Sequence, residues 1–189
     1  MALRSTVYKA SLQLAHLDRG VFADHALTLA LHPSETEERL MVRVLAYALE
    51  APADDARGAL QFARGLSDAD EPDLWQRDLT GAVVHWIELG QPDARRLARA
   101  CGRAERVSVY CFAAAAPIWW AGIESEVARL PGLAVHRIDA SESRALAALA
   151  ARSMTLQVTV QEGHVWFGAG GQTVEITPLT LKAAAESRA

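Results

Sequence analysis

Residues 82–89, A-V-V-H-W-I-E-L, form a run that is apolar on both parities. A strand turns successive side chains to opposite faces, so Val83, Val84, Trp86 and Ile87 between them put apolar surface on both. Such a strand has to be covered on two sides, and the segments after it supply the cover. Gly90 ends the run, and Gln91-Pro92-Asp93 opens a helix, with Pro92 near its first turn. Residues 107–112 and 133–138 repeat the strand pattern, while 115–130 and 141–152 carry apolar residues at helical spacing. Alternating strands and helices of this kind predict an α/β (α+β) fold, a mixed β-sheet flanked by helices.

The ends of the chain are β-rich. Residues 6–17 alternate, Val7, Lys9, Ser11 and Gln13 interleaving with Tyr8, Ala10, Leu12 and Leu14. Asp18-Arg19-Gly20 reads as a turn and 21–31 as a second strand, with Leu27, Leu29 and Leu31 on one face; together they predict a hairpin. His32-Pro33 ends it. Ser34 and Glu37 have the spacing of a capping box for a helix that runs to about Glu50, with Leu40, Met41, Val44, Leu45 and Ala48 as its apolar stripe. Residues 60–63 are a short apolar piece, 67–72 an acidic loop, and 74–79 a strand. Residues 155–160, 164–167 and 173–177 read as strands linked by glycine turns, which pair with the N-terminal strands or extend the sheet.

The chain's 189 residues fit one domain, residues 1–189, with a sizeable core, and 51% hydrophobic with 22% charged residues is a soluble globular balance. The net charge of -4 argues against a surface that coats polyanions as a whole and leaves only a local basic patch. Cys101 and Cys111, with no signal-peptide pattern, predict a reducing, cytoplasmic location. No apolar run reaches the roughly 18 residues that a membrane span needs.

Chemistry concentrates in 78–91. Glu88 sits in the apolar strand, where a carboxylate is costly unless paired, hydrogen-bonded or metal-bound, and Asp78 precedes a turn. If 74–79 and 82–89 are adjacent strands, the two acids could converge as oxygen ligands for Mg²⁺ or Mn²⁺. The alternative is that Glu88 pairs with an arginine and Asp78 caps its turn. The histidines, among them His32, His85, His136 and His164, lack zinc spacing, and alternation points His85 away from Glu88. Trp119-Trp120 reads as one core-facing and one partly exposed ring, and Cys101 as a buried apolar residue.

Several stretches resemble the YaeQ family: M-A-L-R-S-T-V-Y-K-A at the start, L-H-P-S-E-T-E-E-R at 31–39 and F-A-R-G-L-S at 62–67. Two more are H-W-I-E-L-G-Q-P-D at 85–93 and M-T-L-Q-V-T-V-Q-E-G at 154–163. The resemblance implies a PD-(D/E)xK nuclease-like core with extra strands at both ends. In that pattern Asp78 matches the first acid and Glu88 the second, and Gly90 stands where the motif lysine belongs. Gln91, or Arg95 or Arg96 from the next helix, would then have to replace the lysine. Glu38, beside the apolar stripe of the first helix, would add a carboxylate to the metal site or be a solvated or Arg43-paired glutamate, and Arg64 would hold a phosphate or pair with Glu71 or Asp73. The four arginines of the next helix, Arg95, Arg96, Arg99 and Arg103, could bind a phosphodiester together with Asp78 and Glu88, or form a solvated helix face. Two functions follow: a Mg²⁺- or Mn²⁺-dependent phosphodiesterase or nuclease, or a non-catalytic protein on a degenerate nuclease fold that binds nucleic acid or a protein partner.

Overall fold

Alternation at the N-terminus produces two long strands. β1 (Thr6–His16) turns Tyr8, Ala10, Leu12, Leu14 and His16 inward and leaves Lys9, Ser11 and Gln13 exposed. β2 (Val21–Leu31) pairs with it antiparallel along its whole length, from Thr6 opposite Leu31 to His16 opposite Val21. A single 3-10 turn joins them and closes at Gly20 (φ +64°), where the left-handed backbone favours glycine. The computed structural model describes residues 5–64, 68 and 70–185.

Helix α1 (Glu37–Glu50) follows. Its N-cap is Thr36, whose hydroxyl accepts from the Arg39 amide, and not Ser34. A turn from His32 to Glu35 delays the helix start, and Ser34 bonds the His32 ring instead. The nine residues from Leu40 to Ala48 are all buried, so α1 is covered all round and lies inside the molecule. Arg19 donates to the carbonyls of Leu49 and Ala51 and so satisfies the helix's C-terminal end.

The remaining elements are β3 (Leu60–Phe62), β4 (Leu74–Arg77), β5 (Val83–Leu89), α2 (Ala94–Cys101), β6 (Ala104–Cys111), α3 (Ala116–Val127), β7 (Leu133–Arg137) and α4 (Ala140–Ala147). Last come β8 (Ser153–Gln161), β9 (His164–Ala169), β10 (Gln172–Ile176) and β11 (Leu179–Lys182). They build two mixed sheets where the sequence predicted one. One has the order β11-β7-β6-β5-β4-β3, with β5, β6 and β7 parallel and connected through α2 and α3. The other has the order β10-β9-β8-β1-β2, with β8 parallel to β1. The β-rich ends therefore pair with each other, and only β11 extends the central sheet.

Each sheet face needs its own cover, and the layers follow. α1 and α4 pack between the two sheets, in a core that includes Leu12, Leu29, Leu45, Ile87, Leu146 and Phe167. α2 and α3 cover the other face of the central sheet, against Trp86, Val107, Val109 and Val135. α4 ends at Ala147, short of residue 152, and is opened by a capping box of Asp139 and Glu142. Among the described residues no helix is long and apolar enough to cross a membrane.

Candidate functional site

Alternation along β5 sends His85, Ile87 and Leu89 toward α1 and Trp86 and Glu88 toward α2. Glu88 is 4% exposed, yet one of its oxygens accepts from both the Trp86 indole nitrogen (2.7 Å) and Arg96 Nε (2.8 Å). Asp93 caps α2 by accepting from the Arg96 amide, which fixes Arg96 one turn from Glu88. Arg96 also donates to the Glu71 carbonyl. Burial pushes the Glu88 carboxyl up from its ordinary pKa, against the pull of Trp86 and Arg96.

A second buried acid, expected from the sequence only as a partner for Arg64, stands beside it. Asp73, just before β4, uses both oxygens: Oδ1 accepts from Arg39 Nη2 (2.5 Å) and Oδ2 from the Leu89 amide (2.8 Å). Arg39 donates from Nη1 to the Leu89 carbonyl (3.0 Å), so one guanidinium and one carboxylate clip the end of β5 to α1. Glu35 continues the chain of charge, 3.8 Å from Arg39 Nε and 2.8 Å from Arg43 Nη2. Gly90 explains its own residue type. Its φ is +87°, and a Cβ there would lie 3.2 Å from Arg39 Nη1. The cation beside the expected lysine position is therefore Arg39, reaching in from α1. Pro72-Asp73 ahead of an apolar strand, fifteen positions before Glu88, was the available signal for the second acid; nothing local marks Arg39.

The other expected residues are dispersed. Asp78 closes the β4–β5 hairpin: Oδ1 accepts from the Thr80 hydroxyl (2.6 Å), the Thr80 amide (2.8 Å) and the Ala82 amide (3.0 Å). These bonds, the hydroxyl foremost, hold its pKa down. Asp78 pairs with Ala82 at one end of β5 and Glu88 lies six residues along, about 20 Å at strand rise, so adjacent strands do not bring the two acids together. Glu38 accepts from the Ser143 hydroxyl (2.6 Å) and joins α1 to α4, across the sheet from Glu88. Gln91 donates to the Phe112 carbonyl (2.5 Å). Arg64 pairs with Glu71 (3.0 Å). Arg95, Arg99 and Arg103 are exposed on or just after α2, without a partner among the described residues.

A third polar cluster sits on the inner face of the central sheet. The ring of His85, fully buried, lies 2.8 Å from Ser108 Oγ and 4.0 Å from Glu50, a serine–histidine–acid order. The hydrogen bonds rule out base catalysis by this histidine. Arg106, which can only donate, lies 2.8 Å from Nδ1; Nδ1 accepts, Nε2 carries the proton, and Nε2 donates to Ser108. Burial holds the His85 pKa down at about 4. Burial works against the Glu50 charge, but His85, Arg106 and the Tyr110 hydroxyl (2.8 Å) outweigh it and hold Glu50 at about 2. The cluster braces α1 against β5 and β6.

The family model described as YaeQ protein matches residues 1–178. The chain belongs to the YaeQ family. Its relatives include proteins named Uncharacterized protein YaeQ from Salmonella typhi and Escherichia coli (strain K12), 45% and 43% identical over 177 residues, or 93% of this chain and 95% of each relative. The crystal structure of YaeQ protein from Xanthomonas axonopodis pv. citri is 46% identical, covers 95% of this chain and 99% of its own, and superposes with a TM-score of 0.89. The crystal structure of YaeQ protein from Pseudomonas syringae, 37% identical, covers 95% and 97% with a TM-score of 0.88.

The nuclease resemblance implies a divalent ion, and the donor set does not fit one. Both Asp73 oxygens and one Glu88 oxygen are already held by N–H donors, and Asp78 is at the far end of the strand. Among the described residues no three His, Cys, Asp or Glu side chains are grouped to hold a metal.

Proposed function

We propose that this YaeQ-family chain is a phosphodiester-binding protein, docking nucleic acid on the arginine face of α2 without metal-dependent turnover. The observation that carries this reading is the allocation of charge. Arg39 and Arg96 are spent on the buried acids Asp73 and Glu88, while Arg95, Arg99 and Arg103 are exposed and unpaired among the described residues. A guanidinium fork matches phosphate oxygens and stays charged at any physiological pH. The chain's net charge of -4 argues for a local basic patch over binding by the whole surface.

The test is fluorescence anisotropy with labelled single-stranded and duplex DNA and RNA across a salt series. Arg95→Gln/Arg99→Gln/Arg103→Gln alters only exposed side chains and should fold as the wild type does. Each lost phosphate contact should flatten the slope of log K against log salt by about 0.7–0.9. No binding at low salt, or equal binding by the triple variant, overturns the reading. Repeating the series with Mn²⁺ separates the runner-up: cleavage that needs the ion and disappears in Glu88→Gln, which should keep its fold, would replace binding with hydrolysis.

A further inference from the structure

Between the edge strands of the two sheets, β2 and β3, lies a cavity of about 220 Å³. Arg43 lines it from α1, although that helix is otherwise covered by apolar core through this stretch. The residue is 5% exposed. Its Nη2 donates to the Ala30 carbonyl (3.1 Å) and to Glu35 (2.8 Å). Its Nε is buried with no partner, and its Nη1 bonds no described residue. The Phe62 ring lies 6.0 Å from the guanidinium carbon, and Glu35 and the exposed Thr28 and Arg64 are also in the wall. The buried Glu35 accounts for a cation at this position, but it engages Nη2 alone and leaves the rest of a costly buried guanidinium under-bonded.

We infer that this cavity binds a small organic carboxylate. The anionic head takes the unfilled Arg43 Nη1 donor, and the body of the molecule packs on Phe62 and Ala30. Size and charge both select this class. The volume is below the roughly 300–1,000 Å³ of drug-sized sites, so the ligand is small. Glu35 already answers Arg43 and Glu71 answers Arg64, which favours a single-charge oxygen acceptor over a dianion such as phosphate. The cavity is separate from the α2 arginines, so this site does not depend on nucleic-acid binding.

Benzoate is the probe, with benzamide as its neutral match, followed by ¹H–¹⁵N NMR at the Arg43 Nε–H and at the Thr28 and Ala63 amides. Benzoate should produce saturable shifts at these signals with an affinity of about 1–10 mM, and benzamide none. Thr28→Trp, on an exposed wall position, should fill the mouth and abolish the shifts while the rest of the spectrum stays in place. Arg43→Met should abolish them too; should that variant unfold through the stranded Glu35, Thr28→Trp decides alone. Absence of saturation at about 50 mM benzoate, equal shifts from benzamide, or unchanged binding by Thr28→Trp overturns the assignment.

Discussion

Replacing Asp73 with asparagine separates a structural acid from a reserve of metal ligands. Asparagine keeps one acceptor oxygen where Asp73 uses two, for Arg39 Nη2 and the Leu89 amide. Whichever way the new amide flips, its NH₂ faces a donor. An orphaned buried donor costs about 1–3 kcal/mol, and the charge-assisted bond to Arg39 is lost or weakened as well. Arg39 keeps the Leu89 carbonyl and the neighbouring Glu35, which limits the damage. The sum is about 3–4 kcal/mol, at the low end for breaking a buried ion pair and a large share of the usual stability of a domain. Urea denaturation followed by circular dichroism reads this directly: at a slope near 2 kcal/mol/M the midpoint should fall by about 1.5–2 M. A loss under about 1 kcal/mol in Asp73→Asn, with an unchanged slope, would refute the clip and leave the Asp73 carboxylate free to act as a ligand.

Two further outcomes follow from the buried groups. Burial raises the Glu88 pKa, so its ionised form works against folding: this contribution to stability is fullest at low pH and falls as pH rises from the ordinary carboxylate range through the raised value. Glu88→Gln keeps an acceptor for Trp86 and Arg96 and should stay within about 1 kcal/mol of wild type at pH 7, whereas Glu88→Ala strands the indole N–H and should cost about 2–4 kcal/mol; equal losses in urea titrations of the two would contradict this account. His85 has the opposite sign. Its pKa near 4 lies below the ordinary 6.5, so its contribution is intact above 6.5 and is lost as pH falls toward 4, by up to about 3 kcal/mol, with Glu50 adding to the loss below 4.5. Imidazole ¹⁵N shifts should report an Nε2–H tautomer and titration near 4; an Nδ1–H tautomer or a midpoint near 6.5 would contradict the brace.

Much of this fold is written locally. The two-sided apolar run of β5 specified a covered strand, the stripe from Leu40 to Ala48 specified α1, and alternation correctly aimed His85 away from Glu88. What the residues did not reveal is set by contacts between distant segments. The β-rich ends were expected to pair or to extend the sheet, and β1 does find β8, but no strand's own pattern shows that this pairing makes a sheet apart from the central one. The expected alternative of an arginine for Glu88 is met eight positions on by Arg96, but Asp73 is answered by Arg39 across 34 positions, a pair that a reading confined to one stretch of chain missed. Asp78 illustrates the opposite error: its partners Thr80 and Ala82 are so close in sequence that a turn, and no remote ligand, accounts for the acid.

The parallel pairing of Lys9 with Ser153 and of His16 with Val160 has a consequence for synthesis. The first hairpin leaves the ribosome long before its neighbouring strand exists. At about 5–20 residues per second, the partner of β1 is made some 7–30 seconds later. Throughout that interval one edge of the hairpin is unpaired, and the inner face carrying Leu12, Leu14 and Leu29 has at most α1 to rest on. The nascent chain is thus most exposed to misassociation with its neighbours on a polysome, and a holding chaperone that acts on it would engage the first thirty residues before any later element.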